Sequence, residues 1–323
     1  MADLRRWIGV GALMAACYGP ALRLGAADGH GKIQPADVFV RATQVREEIE
    51  QLRVELGKPV SVFQFEVRAA SPREVYFQAL TLLMKADRLA FEQLGRRTAP
   101  PARPSKPIAP QDVLTLVEAA QQRLRQVKEQ LKIEQPVQAP PRDPTKTPTD
   151  VFRAIVQANR QLNVLLDQPF APSDVYQQVQ RASGLASVLA SRLGDTEFPR
   201  QLPEFQRGKR PADVYRQLLT CLAKIQKIFA KSDLKILDIE VPDAMIDQVT
   251  PSDVYDLASV LVAELAYLHG RYPEVEPPPT IFYPGRKFPS HVHQAARLLD
   301  RQLDWLAEQV SQQPSWLKGE ATP

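Results

Sequence analysis

The chain has 323 residues, 44% of them hydrophobic, enough for one large domain or two ordinary ones with a real core. Its formal charge of +4 falls to +2 when residues 1–27 are set aside, because that stretch holds Arg5, Arg6 and Arg23 against Asp3. So weak a global field excludes nucleic acid as the expected partner.

Residues 1–27 read as an export signal. The basic pair Arg5 and Arg6 precedes an apolar run over residues 7–18, Pro20 breaks it, and Gly25, Ala26 and Ala27 offer a small-residue cleavage site before Asp28. The run is shorter than the roughly 20 residues that a spanning helix needs. The expected mature protein is periplasmic. Residues 13–17 also resemble a lipoprotein signal, in which Cys17 becomes the acylated first residue, and membrane attachment is expected only in that case. A buried or uncleaved segment is the third option, and the twin arginines lack the rest of a twin-arginine motif. After cleavage near Ala27 only Cys221 remains of the two cysteines, so no intramolecular disulfide is expected.

After a flexible stretch at 28–34, one signature recurs eight times: Pro, any residue, an acid, Val, and usually an aromatic. The copies begin at Pro35, Pro72, Pro110, Pro148, Pro172, Pro211, Pro251 and Pro289, with spacings of 37, 38, 38, 24, 39, 40 and 38. A period of this length is the mark of a repeat architecture. Each copy predicts a helix start. Pro suits the first helical position, where its missing N–H has no partner to lose. The acid two residues later meets the free amides and the positive dipole end of the first turn. Ser71 with Glu74, Thr147 with Asp150 and Thr250 with Asp253 complete capping boxes.

Counting Pro as the first position, apolar residues fill positions 4, 8, 11, 15 and 18 of every copy. Steps of four and three put them on one helical seam. Cys221 sits in that seam and reads as a small core residue. Between copies lie Pro-rich stretches such as 99–104 and 277–279, which cannot be helical. Each is long enough to run back along its own helix, so consecutive helices can be parallel. The link before Pro172 alone is short. The predicted fold is therefore all-α, an eight-copy helical repeat built as two duplicated four-helix units, 35–171 and 172–312, followed by a flexible tail at 313–323. Residues 61–67 and 234–241 look strand-like, either pairing or lying across helices.

Chemistry is sparse. The fifth position carries Phe39, Tyr76, Leu114, Phe152, Tyr176, Tyr215, Tyr255 and His293, either packing under the linkers or facing a ligand. His291 and His293 stand two residues apart in the last copy and do not share a helix face, so no metal site is expected. His269 ends the seventh helix and His30 lies near the start of the mature chain. No nucleophile triad, phosphate loop or zinc spacing occurs, so no cofactor and no enzyme activity are expected. The linkers are richer: residues 198–210 and 282–288 mix aromatics with Arg and Lys. The candidate binding residues are Tyr176, Tyr215, Tyr255, Arg207, Arg210, Phe282, Tyr283, Arg286 and Lys287. The expected function is a non-enzymatic scaffold or binding module of the bacterial cell envelope, with a protein partner or an envelope polymer. The alternatives are a carrier or sensor holding a small ligand between the two halves, and an enzyme assembled from scattered acids.

Overall fold

A computed structural model describes residues 32–60, 65–96, 98, 108–167, 169–193, 197–231, 236–270 and 285–312. The segment 1–27 read as an export signal, the C-terminal residues 313–323, Phe282 and Tyr283 lie outside them. Among the described residues run α1 (Pro35–Glu55), β1 (Glu66–Arg68), α2 (Pro72–Leu94), α3 (Pro110–Gln130), α4 (Pro148–Leu165), α5 (Pro172–Ser191), α6 (Pro211–Ala230), β2 (Asp238–Glu240), the one-turn α7 (Asp243–Ile246), α8 (Pro251–Gly270) and α9 (Pro289–Gln312). The fold is all-α.

Every signature proline is the first residue of a long helix. In seven of these helices the third-position carboxylate accepts a hydrogen bond from the backbone N–H of the residue before Pro, at 2.7–2.9 Å. At α9 the acid is replaced by His291, whose Nδ1 accepts from the Phe288 N–H at 3.2 Å. The acidic row is thus a row of caps. The forty seam residues at positions 4, 8, 11, 15 and 18 are all at most 2% exposed, so the periodicity marks the core.

The helices run in parallel groups. α1 packs against α3 and α4, and α2 packs against the same two. The first and fourth residues of all four, Pro35, Val38, Pro72, Val75, Pro110, Val113, Pro148 and Val151, converge on one apolar recess at the helix starts. Mid-helix contacts keep the same sense. Gln121, twelfth in α3, donates to Glu48, fourteenth in α1, at 2.9 Å. In the same way α5 and α6 each pack against α8 and α9, and the prolines and valines that open these four helices converge on a second recess. Ser183, twelfth in α5, donates to Gln302, fourteenth in α9, at 2.6 Å.

Parallel neighbours require the chain to return the length of a helix before starting the next. The linker over 197–210 does so along α9. The Pro199 carbonyl accepts from Gln302, the Pro203 carbonyl accepts from Gln294, and the Lys209 N–H donates to Ser290, in descending order along the helix. The linker after α3 likewise passes from Lys128, which donates to the Gln135 carbonyl, to Arg142, which pairs with Asp37 at the start of α1.

Four arrivals at a helix start are pinned by a hydroxyl at the second helical position of a neighbour. The residue two before Pro donates its N–H to such a hydroxyl on a neighbouring helix: Ala70 to Thr149, Phe170 to Ser252, Lys209 to Ser290 and Lys287 to Ser173, all at 2.9–3.1 Å.

The two groups lie antiparallel. Arg73, near the start of α2, meets Glu264 late in α8, whereas Lys85, late in α2, meets Asp256 early in α8. β1 and β2 pair antiparallel with Glu66 opposite Glu240, so part of each strand-like stretch forms a small bridge between linkers. This reversal explains the short spacing. Only residues 166–171 join α4 to α5, and the chain turns there instead of travelling back.

Shortening a return linker should therefore break the fold. Deleting residues 136–143 leaves nine residues between α3 and α4, about 30 Å at full extension. They must retrace a helix of roughly 31 Å and then cross the bundle. The expected result is loss of the cooperative urea transition followed by circular dichroism. A wild-type midpoint would mean that α4 does not need to start beside α1.

Candidate functional site

Most of the polar side chains that look reactive lie where the two groups of helices meet. α8 is buried on nearly every side, between α5 and α6 of its own group and α2 and α4 of the other. A helix in that position is expected to be apolar all round. Yet Asp253, Asp256 and Glu264 all point from it toward the first group, where each finds a cation. Lys85 Nζ lies 2.7 and 2.9 Å from the two Asp256 carboxylate oxygens. Arg160 binds Asp253 at 3.1 Å, and Arg73 binds Glu264 at 2.9 Å. Asn159 and Gln78 bond to each other, and Gln78 also donates to the Asp256 carbonyl. Desolvation pulls the Lys85 ammonium down and pushes the Asp256 carboxyl up, while their mutual attraction opposes both shifts.

Glu264 differs because its neighbours include Glu74 as well as Arg73. Burial first, and then the Glu74 charge and hydrogen bond, raise its carboxyl well above the ordinary value of 4.5. The Arg73 guanidinium reaches both carboxylates, 2.9 Å from Glu264 and 3.1 Å from Glu74. Arg73 is further fixed over the Tyr267 ring at 4.3 Å from its centroid.

The sequence-derived candidates divide between interior and surface. Tyr215 and Tyr255 are each 3% exposed. Burial pushes the Tyr215 hydroxyl up to about 12. Tyr255 is stacked on Phe170 at 4.0 Å, its hydroxyl accepts from Gln178, and burial pushes the pKa of that hydroxyl up too. These two rings fill the interior and are closed to a ligand arriving from outside. The two recesses at the helix starts offer cavity volumes of about 10 and 20 Å³, room for about one water, and their lining is prolines and valines. Cys221 is buried with its thiol pushed up, as a core residue should be. Among the described residues no group of three His, Cys, Asp or Glu side chains is placed to hold a metal.

The remaining candidates meet outside. Lys287 Nζ stands 4.9 Å above the half-buried Tyr176 ring, and Arg286 lies 5.2 Å from the Phe288 ring. His291 at the start of α9 is sandwiched between Phe205 at 4.9 Å and Phe288 at 5.9 Å, so the two basic linkers converge on one helix. Arg207 and Arg210 flank the same point and are exposed. Gly208 (φ 77°) and Gly285 (φ 74°) take left-handed backbone in these linkers, a conformation that strains any residue with a Cβ.

Sequence reasoning missed two sets of residues. The charges on α8 hid because an acid inside an apolar pattern resembles an exposed interruption until its partner helix is known. The second-position hydroxyls hid inside the free slot of the signature, although Thr149, Ser173, Ser252 and Ser290 fill it in four of eight copies. The chain matches no protein-family model, no curated protein and no solved structure.

Two predictions follow from the charged seam. Replacing Lys85 with Met leaves Asp256 buried and unpaired, which should cost about 3–5 kcal/mol in urea unfolding. The double change Lys85→Met with Asp256→Leu should recover most of that loss, and failure to recover it would mean the pair is needed for more than charge balance. For Glu264 the sign follows from its raised carboxyl. The stabilising contribution is complete below the unfolded value near 4.5 and is lost as pH rises through the folded value. Glu264→Gln should remove this downward slope of stability as pH rises above 4.5, and an unchanged slope in the variant would assign it elsewhere.

Proposed function

We propose that the chain is an internal duplication of a parallel four-helix unit and serves as an exported, non-enzymatic binding platform of the bacterial cell envelope. Three correspondences favour duplication. First, the order of neighbours is the same in both groups: first helix beside third and fourth, second beside the same two. Second, Lys146 covers Phe39 as Lys287 covers Tyr176, each lysine two residues before its signature Pro. Third, Lys85 and Lys224, both fourteenth in their helices, donate to the carbonyls of Asn159 and Asp300, both twelfth in theirs.

The observation that carries the platform reading is the buried charge seam on α8. Three ion pairs hold the helix groups in one relation, so the linkers are displayed on a stiff body. Repeats of this kind use broad surfaces more than pockets. A small-ligand carrier has less support, because Phe170, Tyr255 and Lys85 occupy the space between the groups.

Fractionation of a bacterial host expressing the tagged full chain tests the placement. Mass spectrometry of the periplasmic form should give a first residue near Asp28, or a lipidated Cys17 in the membrane fraction. An intact chain starting at Met1 in the cytosol would sink the envelope reading.

A further inference from the structure

We infer that the face where residues 197–210 and 285–288 meet on α9 is a docking site for an extended, acidic polypeptide segment that carries apolar side chains. The inference rests on the binding-platform reading and names the chemistry of the partner.

Four observations converge on this face. First, it gathers large apolar groups that the fold leaves in water. Phe288 is 51% exposed, Leu202 50% and Phe205 39%, and the two phenyl rings flank the His291 imidazole. Neighbouring exposed aromatics in a chain whose other rings are mostly packed mark an interaction surface.

Second, cations surround them without a carboxylate partner among the described residues. Arg207, Arg210 and Arg286 are exposed, Lys209 and Lys287 half-buried, and among the described residues none of the five is ion-paired. The nearby Asp213 carboxylate is engaged by the Arg210 N–H, which leaves Glu197 and Glu204 as the acids of the linker, Glu197 at its far end from the cluster in sequence. Elsewhere the chain pairs its cations readily, as Lys224 does with Asp300 and Asp304, both at 2.6 Å. An unbalanced cluster selects a negatively charged partner and speeds its approach.

Third, the backbone of the linker is half satisfied. The carbonyls of Pro199, Pro203 and Glu204 accept from Gln302, Gln294 and Arg297 of α9. The N–H groups of Leu202, Phe205 and Gln206 have no partner among the described residues, and these residues are exposed. A segment with its acceptors engaged and its donors open suits the carbonyls of an added peptide chain. A lipid headgroup or an anionic polysaccharide would answer the charge but has no carbonyl row to match the amides.

Fourth, the face is already ordered. Ser290 holds the Lys209 N–H, and Ser173 holds both the Lys287 N–H and the Gly285 carbonyl. Little ordering remains to be done on binding.

The probe is a fluorescein-labelled ten-residue peptide alternating Glu with Leu and Phe, titrated with the mature chain and followed by fluorescence anisotropy. A matched peptide with Lys in place of Glu, phosphatidylglycerol vesicles and heparin are run beside it. Saturable binding of the acidic peptide is expected, weakening with added salt. Phe205→Ser with Phe288→Ser should weaken it about tenfold or more. So should Arg207→Glu with Arg210→Glu and Arg286→Glu, while the lysine peptide should not bind. Both variants alter exposed side chains, and an unchanged urea midpoint checks that they fold. No saturable binding, equal binding by the variants, or binding of vesicles or heparin alone would each overturn the inference. Binding of vesicles or heparin through the same residues would leave the platform reading in place. A cytosolic chain that still bound the peptide would sink the envelope placement and leave the docking face standing.

Discussion

The structure depends on one constraint: four neighbouring helices must all begin at the same end. Aligned helix dipoles gather about half a positive charge each at their starts, so each group of four concentrates roughly two positive charges there. A carboxylate at the third position of seven of the eight long helices offsets that field while it satisfies a backbone amide. The starting proline serves the same end by removing one amide that would need a partner. The signature is thus the local chemistry that makes crowding helix starts tolerable. Its valine then closes the recess that the four starts surround.

Parallel direction also dictates what joins the helices. An antiparallel bundle needs only short loops, whereas this chain must travel back each time. Among the described residues the return segments hold no helix longer than the one-turn α7, so none competes for the seam, and proline favours extended backbone in them. Their amides still need partners. The second-position hydroxyls supply one at three of these returns, and glutamines along α9 hold the carbonyls of one of the same segments on its way. Where the second group of helices reverses direction, no return is needed. Antiparallel placement also opposes the two sets of dipoles, so the side of the molecule that sums positive in one group sums negative in the other.

The helix starts, the seam and the exceptional short link were legible from residues, because each depends on neighbours within one turn or on chain length. The neighbour order was not, since alternating steps of four and three say which face is buried and nothing of which helix covers it. Lys85 shows why. At the equivalent place in the second group Lys224 reaches Asp300 and Asp304 on its own group's fourth helix. In the first group the twelfth residue of that helix is Asn159, which offers Lys85 only its carbonyl. The missing charge is supplied by Asp256 on α8, 171 residues away in sequence. The linker candidates fared differently. Arg286, Lys287 and Tyr176 came together because both linkers return to the same helix starts, whereas Tyr215 and Tyr255 were drawn inward by the neighbouring groups of helices.

The buried pairs trade stability for definition. Two charges withdrawn from water are at best weakly stabilising, and well-packed apolar residues of like size often do better. What an ion pair adds is selectivity, since a slip of α8 by one turn against α2 would strand Asp256, Glu264 and their cations in a dry interface. Apolar side chains alone would tolerate such a slip more easily. The cost of the seam therefore fixes the register between the two groups. Fixed register is what the exterior requires, because linkers that start and end on different helices keep one arrangement only if those helices do not slide. Those linkers are held at their ends, by the carbonyls that helix side chains bind, and by side chains such as Phe198, Leu237 and Ile246 that enter the core. Between these anchors lie exposed side chains, and recognition can vary there without disturbing the helix starts. The exposed rings of Phe205 and Phe288 occupy that kind of position, as do Arg207, Arg210 and Arg286, which form no ion pair among the described residues.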